Sequence, residues 1–461
     1  MNRKVVLPIV LLSLLLGGFV AYAQPGPSDD STPPNVILVF VDDMGYGDLG
    51  CYGSPNIETP FLDRMAAEGV RFTSFYAAAP VCTPSRAALL TGRYPNRHIN
   101  KNIGPESTHG LPLTEKLLPE ILKEVGYKTG MIGKWHLGHY TPDMMPTRRG
   151  FDSYFGLLYS NDMILPWCPW LDDTYTLELY RDLAPIQEIG FKQDSLTIQY
   201  IQEAVSFIEE SSSDTPFFLY LAHAMPHLPI ATADRFRGSS AAGLYGDVVQ
   251  TLDWGMGEIM KSLTTKGIDD NTLVIFTSDN GPWINIPKRM LQEGIELWHA
   301  GNPGPLRGHK NTSLEGGFRV PGIITWPGKI PSGQLIHEPA NTMDVFTTLV
   351  AIAGGELPSG RDIDGHNLLP FLQNRGEAPE APFFYSWSGR VEGVREGDWK
   401  LRCTKNGGTE LFHLGQDVGE RINLAERYPE KVASLYRLMQ GFAEEVSSEI
   451  QPLAANTRGI E

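Results

Sequence analysis

The chain has 461 residues, of which 41% are hydrophobic and 20% charged; this supports a large buried core and excludes wholesale disorder. Its formal net charge of −16 provides no global positive field, so neither nucleic acid nor an anionic membrane surface is expected as a partner. An anionic substrate stays open, because a few Lys and Arg in one pocket override a repulsive surface locally.

Arg3 and Lys4, the apolar run Val5–Val20 and Ala21-Tyr22-Ala23 have the order of a signal peptide, assigned to residues 1–23. The run is short for a membrane span and Gly17-Gly18 weakens it, so an exported protein (periplasmic or secreted) with no stable membrane anchor is expected. Residues 24–34 are rich in Pro, Ser and Asp and read as a disordered tail. The four cysteines, Cys51, Cys82, Cys168 and Cys403, are too few for a disulfide scaffold, and their spacing fixes no pairing.

Asn35–Val41 is a continuous apolar, β-branched run, as expected of a central parallel strand buried on both faces. It stops at Asp42-Asp43, a pair that on its own is more often a turn or helix cap than a functional group. The grammar then repeats. An amphipathic helix at 113–125 precedes a strand at 127–132 that ends in Gly133-Lys134-Trp135-His136. A helix at 194–210 precedes a strand at 216–222 that runs into His223 and Pro226-His227-Leu228-Pro229; a helix at 245–266 precedes a strand at 271–277 that ends in Ser278-Asp279-Asn280-Gly281. Alternating helices and apolar strands predict an α/β fold with a mostly parallel sheet, in which ligands bind beyond the carboxyl ends of the strands. The long excursion 281–305 reads as a functional loop, and its return carries Lys310. A strand at 320–326 and a helix at 342–353 follow. Residues 35–378 are read as the catalytic domain, and Pro379–Pro382 as a linker to a smaller C-terminal subdomain, 379–461, of short antiparallel strands and a helix at 430–446.

In Pro80–Arg93, Thr83 is a good N-cap and Pro84 suits a first helical position, so a short helix is expected from just after Cys82 to Gly92. A helix N-terminus favours an oxyanion and acidifies a thiol, with Arg86 one turn along. On these grounds alone Cys82 is either a reactive thiol or a buried structural cysteine.

Cys82-Thr83-Pro84-Ser85-Arg86 with the trailing Leu90-Thr91-Gly92-Arg93, and the segment Gly126–His136, resemble the two signatures of type I, formylglycine-dependent sulfatases of the alkaline phosphatase superfamily. The resemblance extends to Asp42-Asp43, Ser278–Gly281, Lys310, the run Glu315–Pro321, Trp399–Leu401 and Glu410–Phe412, and shows no departure at a matched catalytic position. It points to arylsulfatases and N-acetylgalactosamine-6-sulfatases, and implies an alkaline phosphatase-like sheet with a small C-terminal antiparallel sheet.

By the resemblance, Cys82 is converted to formylglycine by a separate maturation enzyme. One hydroxyl of its hydrate attacks sulfur in line to give a covalent sulfo-enzyme, and the other lets it collapse and release sulfate. Asp42, Asp43, Asp279 and Asn280, with an oxygen on residue 82, form an all-oxygen set suited to Ca²⁺, or less readily Mg²⁺. Arg86 is expected to hold the hydrate, Lys134 and Lys310 the sulfate oxygens with Ser160 as a weaker match, His227 to protonate the leaving group and His136 to act as base. His223 is read as a supporting histidine. Aromatics in irregular stretches, among them Trp170, Trp283 and Trp298, either stack on a sugar or plug loops. The implied activity is hydrolysis of a sulfate ester on a small molecule or saccharide. A phosphonate monoester or phosphodiester hydrolase using the same modified Cys is the alternative, and a non-catalytic sulfated-glycan binder is the reading if Cys82 is unmodified.

Overall fold

The run Asn35–Val41 forms strand β1, and all of its residues are buried. Ile37, Val39 and Val41 face one core while Val36, Leu38 and Phe40 face another, the period-2 alternation of a strand covered on both sides. The computed structural model describes residues 33–291, 294–404, 407–448 and 454–455. The expected signal peptide, and all of the expected tail except Pro33 and Pro34, lie outside the described residues.

The main sheet contains β1 with β2 (Val70–Tyr76), β3 (Lys128–Gly133), β4 (Ser153–Gly156), β5 (Glu178–Arg181) and β6 (Ala184–Glu188). It continues with β7 (Phe217–Ala222), β8 (Thr272–Ser278), β9 (Arg319–Thr325), β10 (Gln334–Ile336) and β11 (Ala340–Asn341). Their order is β10-β2-β9-β8-β1-β7-β3-β4-β5-β6, with β11 also on β2. The run β8-β1-β7-β3-β4 is parallel, so its carboxyl ends share one edge. Antiparallel β9 joins β8 to β2, and β5 and β6 form an antiparallel margin.

Helices α1 (Pro60–Glu68), α4 (Leu196–Glu209) and α5 (Gly243–Lys266) cover one face. Helices α2 (Cys82–Thr91), α3 (Leu118–Glu124) and α6 (Thr342–Ile352) cover the other. The five strands expected before residue 330 are β1, β3, β7, β8 and β9, each within one residue of its expected bounds. The helix expected over 113–125 is confined to α3: Leu117 is its N-cap, Glu120 accepts from the Leu117 N–H, and Leu113 stays exposed. Helix α2 also starts earlier than expected. Val81 is its N-cap and Cys82 its first residue, while the Thr83 hydroxyl donates to the His136 carbonyl at 3.0 Å. It closes at Gly92 as expected, where φ is 70° and an added Cβ would meet the Phe346 ring.

The C-terminal strands β12 (Phe383–Trp387), β13 (Arg390–Glu396), β14 (Trp399–Cys403) and β15 (Thr409–His413) form a separate antiparallel sheet. Helix α7 (Pro429–Ser448) packs Leu435 and Met439 against Val394, Leu401 and Leu411. This sheet is locked to the main body at buried Glu315, which accepts from the Tyr76 and Tyr385 hydroxyls at 2.6 Å each and from Lys400 Nζ at 2.9 Å. Among the described residues no helix is long and apolar enough to cross a membrane.

Candidate active site

Four strand ends supply the site. Beyond β1, Asp43 takes a positive φ of 65° and donates its N–H to Asp279 Oδ1 at 3.1 Å; Asp279, beyond β8, donates its own N–H to the Val41 carbonyl. Beyond β3 the chain turns at Gly133, where φ is 110° and a Cβ would lie 1.8 Å from the Ala222 oxygen. That contact admits only glycine, and it lets the Lys134 N–H reach the Ala222 carbonyl at 2.7 Å. Beyond β7 come His223 and His227. Helix α2 adds Cys82 and Arg86, the segment after β4 adds Ser160, and the return loop adds Lys310, whose N–H donates to the Pro282 carbonyl while the Asn311 N–H donates to the Pro80 carbonyl, pinning the loop beside Cys82.

Cys82 is 1% exposed, and its thiol lies 3.3 Å from Asp42 Oδ1 and 3.6 Å from Lys310 Nζ. Arg86 is fully buried; its Nε and Nη2 donate to Asp279 Oδ2 at 3.1 and 2.8 Å, and its Nη1 to the Lys134 carbonyl at 3.0 Å. Lys134 Nζ donates to Asp42 Oδ2 and to Ser160 Oγ, the latter at 3.1 Å. Lys310 Nζ donates to Asp43 Oδ2 at 2.7 Å. His227 Nε2 lies 3.5 Å from Ser160 Oγ and 3.6 Å from Asp43 Oδ2, while its Nδ1 faces Asn161 Oδ1 and the Leu228 carbonyl. One continuous polar cluster therefore holds Asp42, Asp43, Cys82, Arg86, Lys134, Ser160, His227, Asp279 and Lys310. Asn280 joins it by donating from Nδ2 to Asp43 Oδ1 at 2.6 Å. His136 stands at the margin: its Nε2 pairs with the Ile103 carbonyl at 2.8 Å, and its buried Nδ1 has no partner among the described residues. His223 packs beside Tyr200, and its buried Nδ1 has no hydrogen-bond partner among the described residues.

The electrostatics correct the expectation of an acidified thiol. Burial and the Asp42 carboxylate push the Cys82 thiol well above its ordinary range, outweighing Lys134 and Lys310. Asp42 is held well below the usual carboxylate range because Lys134, His227, Arg86 and Lys310 together overcome the opposing effect of burial. Asp43 is raised by burial and by Asp42, against Lys310; Asp279 is raised to about 7 by burial and by Asp42. Burial pushes His136 and His227 well below the usual histidine range, aided by Lys134 and Lys310 respectively, and lowers His223 to about 3.

The residues fit a cation. Ligand atoms of Asp42, Asp43, Cys82 and His227 all lie within 4.8 Å of one another, and buried Asn280 Oδ1 has no hydrogen-bond partner among the described residues. Asp279 is adjacent, but both of its oxygens accept hydrogen bonds, from Asp43 and Arg86. His227 enters the cluster although the sequence placed it only with the leaving group. Asn161, which faces His227 Nδ1, was missed; its only sequence signal was adjacency to Ser160. All four cysteines are free.

A mostly parallel sheet at whose carboxyl edge three carboxylates and three cations gather around a residue at a helix N-terminus suits chemistry on esters of a tetrahedral oxyanion. The chain belongs to the sulfatase family: the family model described as Sulfatase matches residues 34–355. Human N-acetylgalactosamine-6-sulfatase is 39% identical to it, over 90% of this chain and 85% of that protein; bovine arylsulfatase A is 36% identical, over 87% and 85%. The solved structure of Ps i-CgsB in complex with k-i-k-neocarrahexaose is similar at 31% identity, covering 89% of this chain and 93% of that chain, with a TM-score of 0.79. The protein is accordingly a sulfuric ester hydrolase, and its mixed main sheet with a small antiparallel companion is the alkaline phosphatase-like architecture expected from the sequence.

Proposed function

We propose that this exported enzyme hydrolyses sulfate esters of saccharides, or of aryl alcohols, with residue 82 as a formylglycine and Ca²⁺ at Asp42, Asp43, Asp279 and Asn280. The observation that carries this reading is the Cys82 side chain, flanked by Asp42 Oδ1 and Lys310 Nζ inside the carboxylate cluster. Maturation would remove sulfur as hydrogen sulfide, pass two electrons to an oxidant supplied by the maturation enzyme and install the aldehyde oxygen. A saccharide ester is favoured by the names of the mammalian relatives and by the oligosaccharide bound in the solved relative. The export signal rests on residues 1–23.

Formylglycine supplies a hydrate with two hydroxyls, one to attack sulfur and one whose loss of a proton permits release of sulfate; Ca²⁺ supplies a fixed positive charge. Arg86, rigid between Asp279 and the Lys134 carbonyl, orients and polarises the oxygen at position 82. Lys134 and Lys310 approach from two sides and bind the sulfate oxygens, with Ser160 as a neutral donor beside Lys134. In His227, Nδ1 faces acceptors and carries its hydrogen, so Nε2 exchanges the second proton with the departing alcohol oxygen. An anionic sulfate ester between the two lysines offsets their effect on His227 and raises its proton affinity. His136, with Nε2–H directed at the Ile103 carbonyl, keeps Nδ1 as the proton acceptor.

Steady-state hydrolysis of 4-nitrophenyl sulfate against an aryl phosphonate, alongside the intact mass of the Cys82 peptide, tests the reading. Sulfatase preference with an aldehyde at residue 82 is expected. An active preparation carrying an unmodified thiol overturns the nucleophile.

A further inference from the structure

The excursion that follows Asn280 places one aromatic against the reacting groups. Trp283 is half-buried; its ring centroid lies 5.4 Å from that of His227 at an interplanar angle of 58°, and Lys310 Nζ sits 4.9 Å from it, over the ring. The placement is built into the backbone. The Gly281 N–H donates to the Gly317 carbonyl and the Lys310 N–H to the Pro282 carbonyl, so the outgoing and returning limbs are paired at Trp283. The indole N–H donates to the Asn285 carbonyl at 3.2 Å, and Asn285 Nδ2 contacts His309 Nε2 at 2.7 Å, which fixes the ring's rotation.

Trp283 thus touches both the group assigned to the sulfate, Lys310, and the group assigned to the leaving oxygen, His227. A substrate whose sulfate lies at Lys310 and whose ester oxygen lies at His227 carries its alcohol past the same indole. We infer that Trp283 is the specificity wall for that alcohol, selecting esters of ring alcohols (pyranosides and aryl rings) whose flat C–H or π face stacks on the indole. This rests on the proposed assignment of Lys310 and His227. Acyclic alcohols offer no such face and gain little from it. The other two candidate tryptophans differ. Trp298 is 61% exposed beside His299, and Trp170 is 65% exposed under the Arg289 guanidinium. Among the described residues, neither ring stacks on His227 or lies under Lys310.

The test compares wild type, Trp283→Ala, Trp283→Phe and Trp298→Ala. It measures kcat/KM for a monosaccharide 6-sulfate and for 4-nitrophenyl sulfate, and the inhibition constant of inorganic sulfate, which fills the anion site without an alcohol. Loss of an aromatic platform is expected to lower both kcat/KM values about tenfold in Trp283→Ala. Sulfate inhibition should move less than threefold, Trp283→Phe should recover most of the loss, and Trp298→Ala should match wild type. Unchanged kcat/KM in Trp283→Ala overturns the proposal. So does an equal loss in kcat/KM and sulfate binding, which would make Trp283 only a support for Lys310. A wild-type enzyme inactive on every sulfate ester would instead refute the assignment of the site.

Discussion

The Lys310 ammonium donates to Asp43 Oδ2 at 2.7 Å, joining groups 267 positions apart in the chain. Burial alone would lower the lysine's pKa, but Asp43 and Asp42 outweigh it and hold the pKa above the ordinary value, so it is a fixed cation. A preorganised cation beside the reacting centre stabilises charge that develops in the transition state. Lys310→Met is expected to lower kcat/KM about 10²- to 10³-fold on 4-nitrophenyl sulfate, with the far-ultraviolet circular dichroism spectrum retained. Near-wild-type turnover would remove Lys310 from the machinery.

His227→Ala should show a leaving-group signature. Nitrophenolate departs without a proton, whereas a sugar alkoxide does not. The variant is expected to lose much more kcat on a saccharide sulfate than on 4-nitrophenyl sulfate. Equal losses on both would argue against a role in protonating the leaving group.

Cation affinity should depend on pH in a defined direction. Asp279 is raised to about 7 and Asp43 is also raised, so protons compete with the ion for these carboxylates, and affinity is expected to fall as pH drops through about 7. Calorimetric titration of chelator-treated protein with Ca²⁺ at pH 8 and pH 6 reads this directly. Added Ca²⁺ should also raise the thermal midpoint at pH 8. Equal affinities at the two pH values would contradict the assignment.

The contact at Glu315 makes a stability prediction. Lys400→Met leaves the Glu315 and Glu420 carboxylates buried without their shared ammonium and is expected to cost about 3–5 kcal/mol in denaturant unfolding. Burial alone would raise the Glu315 carboxyl, but Lys400, Arg319 and Arg395 outweigh it and hold the pKa down to about 2. A depressed folded pKa stabilises fully above the ordinary value of 4.5 and is lost as pH falls toward 2, so acid unfolding in that window should soften in the variant.

Apolar runs such as Asn35–Val41 and Phe217–Ala222 were legible because a strand buried on both faces needs every position apolar. β2 is a strand of another kind: Arg71 and Thr73 alternate with Val70 and Phe72 at half-exposed positions, so it lacks the continuous apolar run that marks a strand covered on both faces. The start of α2 was misplaced because Thr83 looks like a cap by composition, while its hydroxyl is spent across the fold on His136. The rise of the Cys82 thiol was hidden for a related reason: the helix N-terminus is local and legible, whereas burial beside Asp42 comes from tertiary packing. The sequence leaves Trp283 open between a sugar platform and a loop plug, because its partners Lys310 and His227 meet it through backbone pairing that no motif encodes.

Helix α2 carries Ala88 into a cluster with Phe383, Tyr385 and Phe442, so the C-terminal sheet and α7 help to seal the segment that holds Cys82. These sealing residues follow Cys82 in the chain by 301 to 360 positions. Until the segment bearing Phe383, Tyr385 and Phe442 has docked, the Ala88 side of this helix lacks part of its cover. The helix that holds Cys82 is thus completed by a distant part of the chain, so loosening the C-terminal sheet would reach the reacting residue through its own helix.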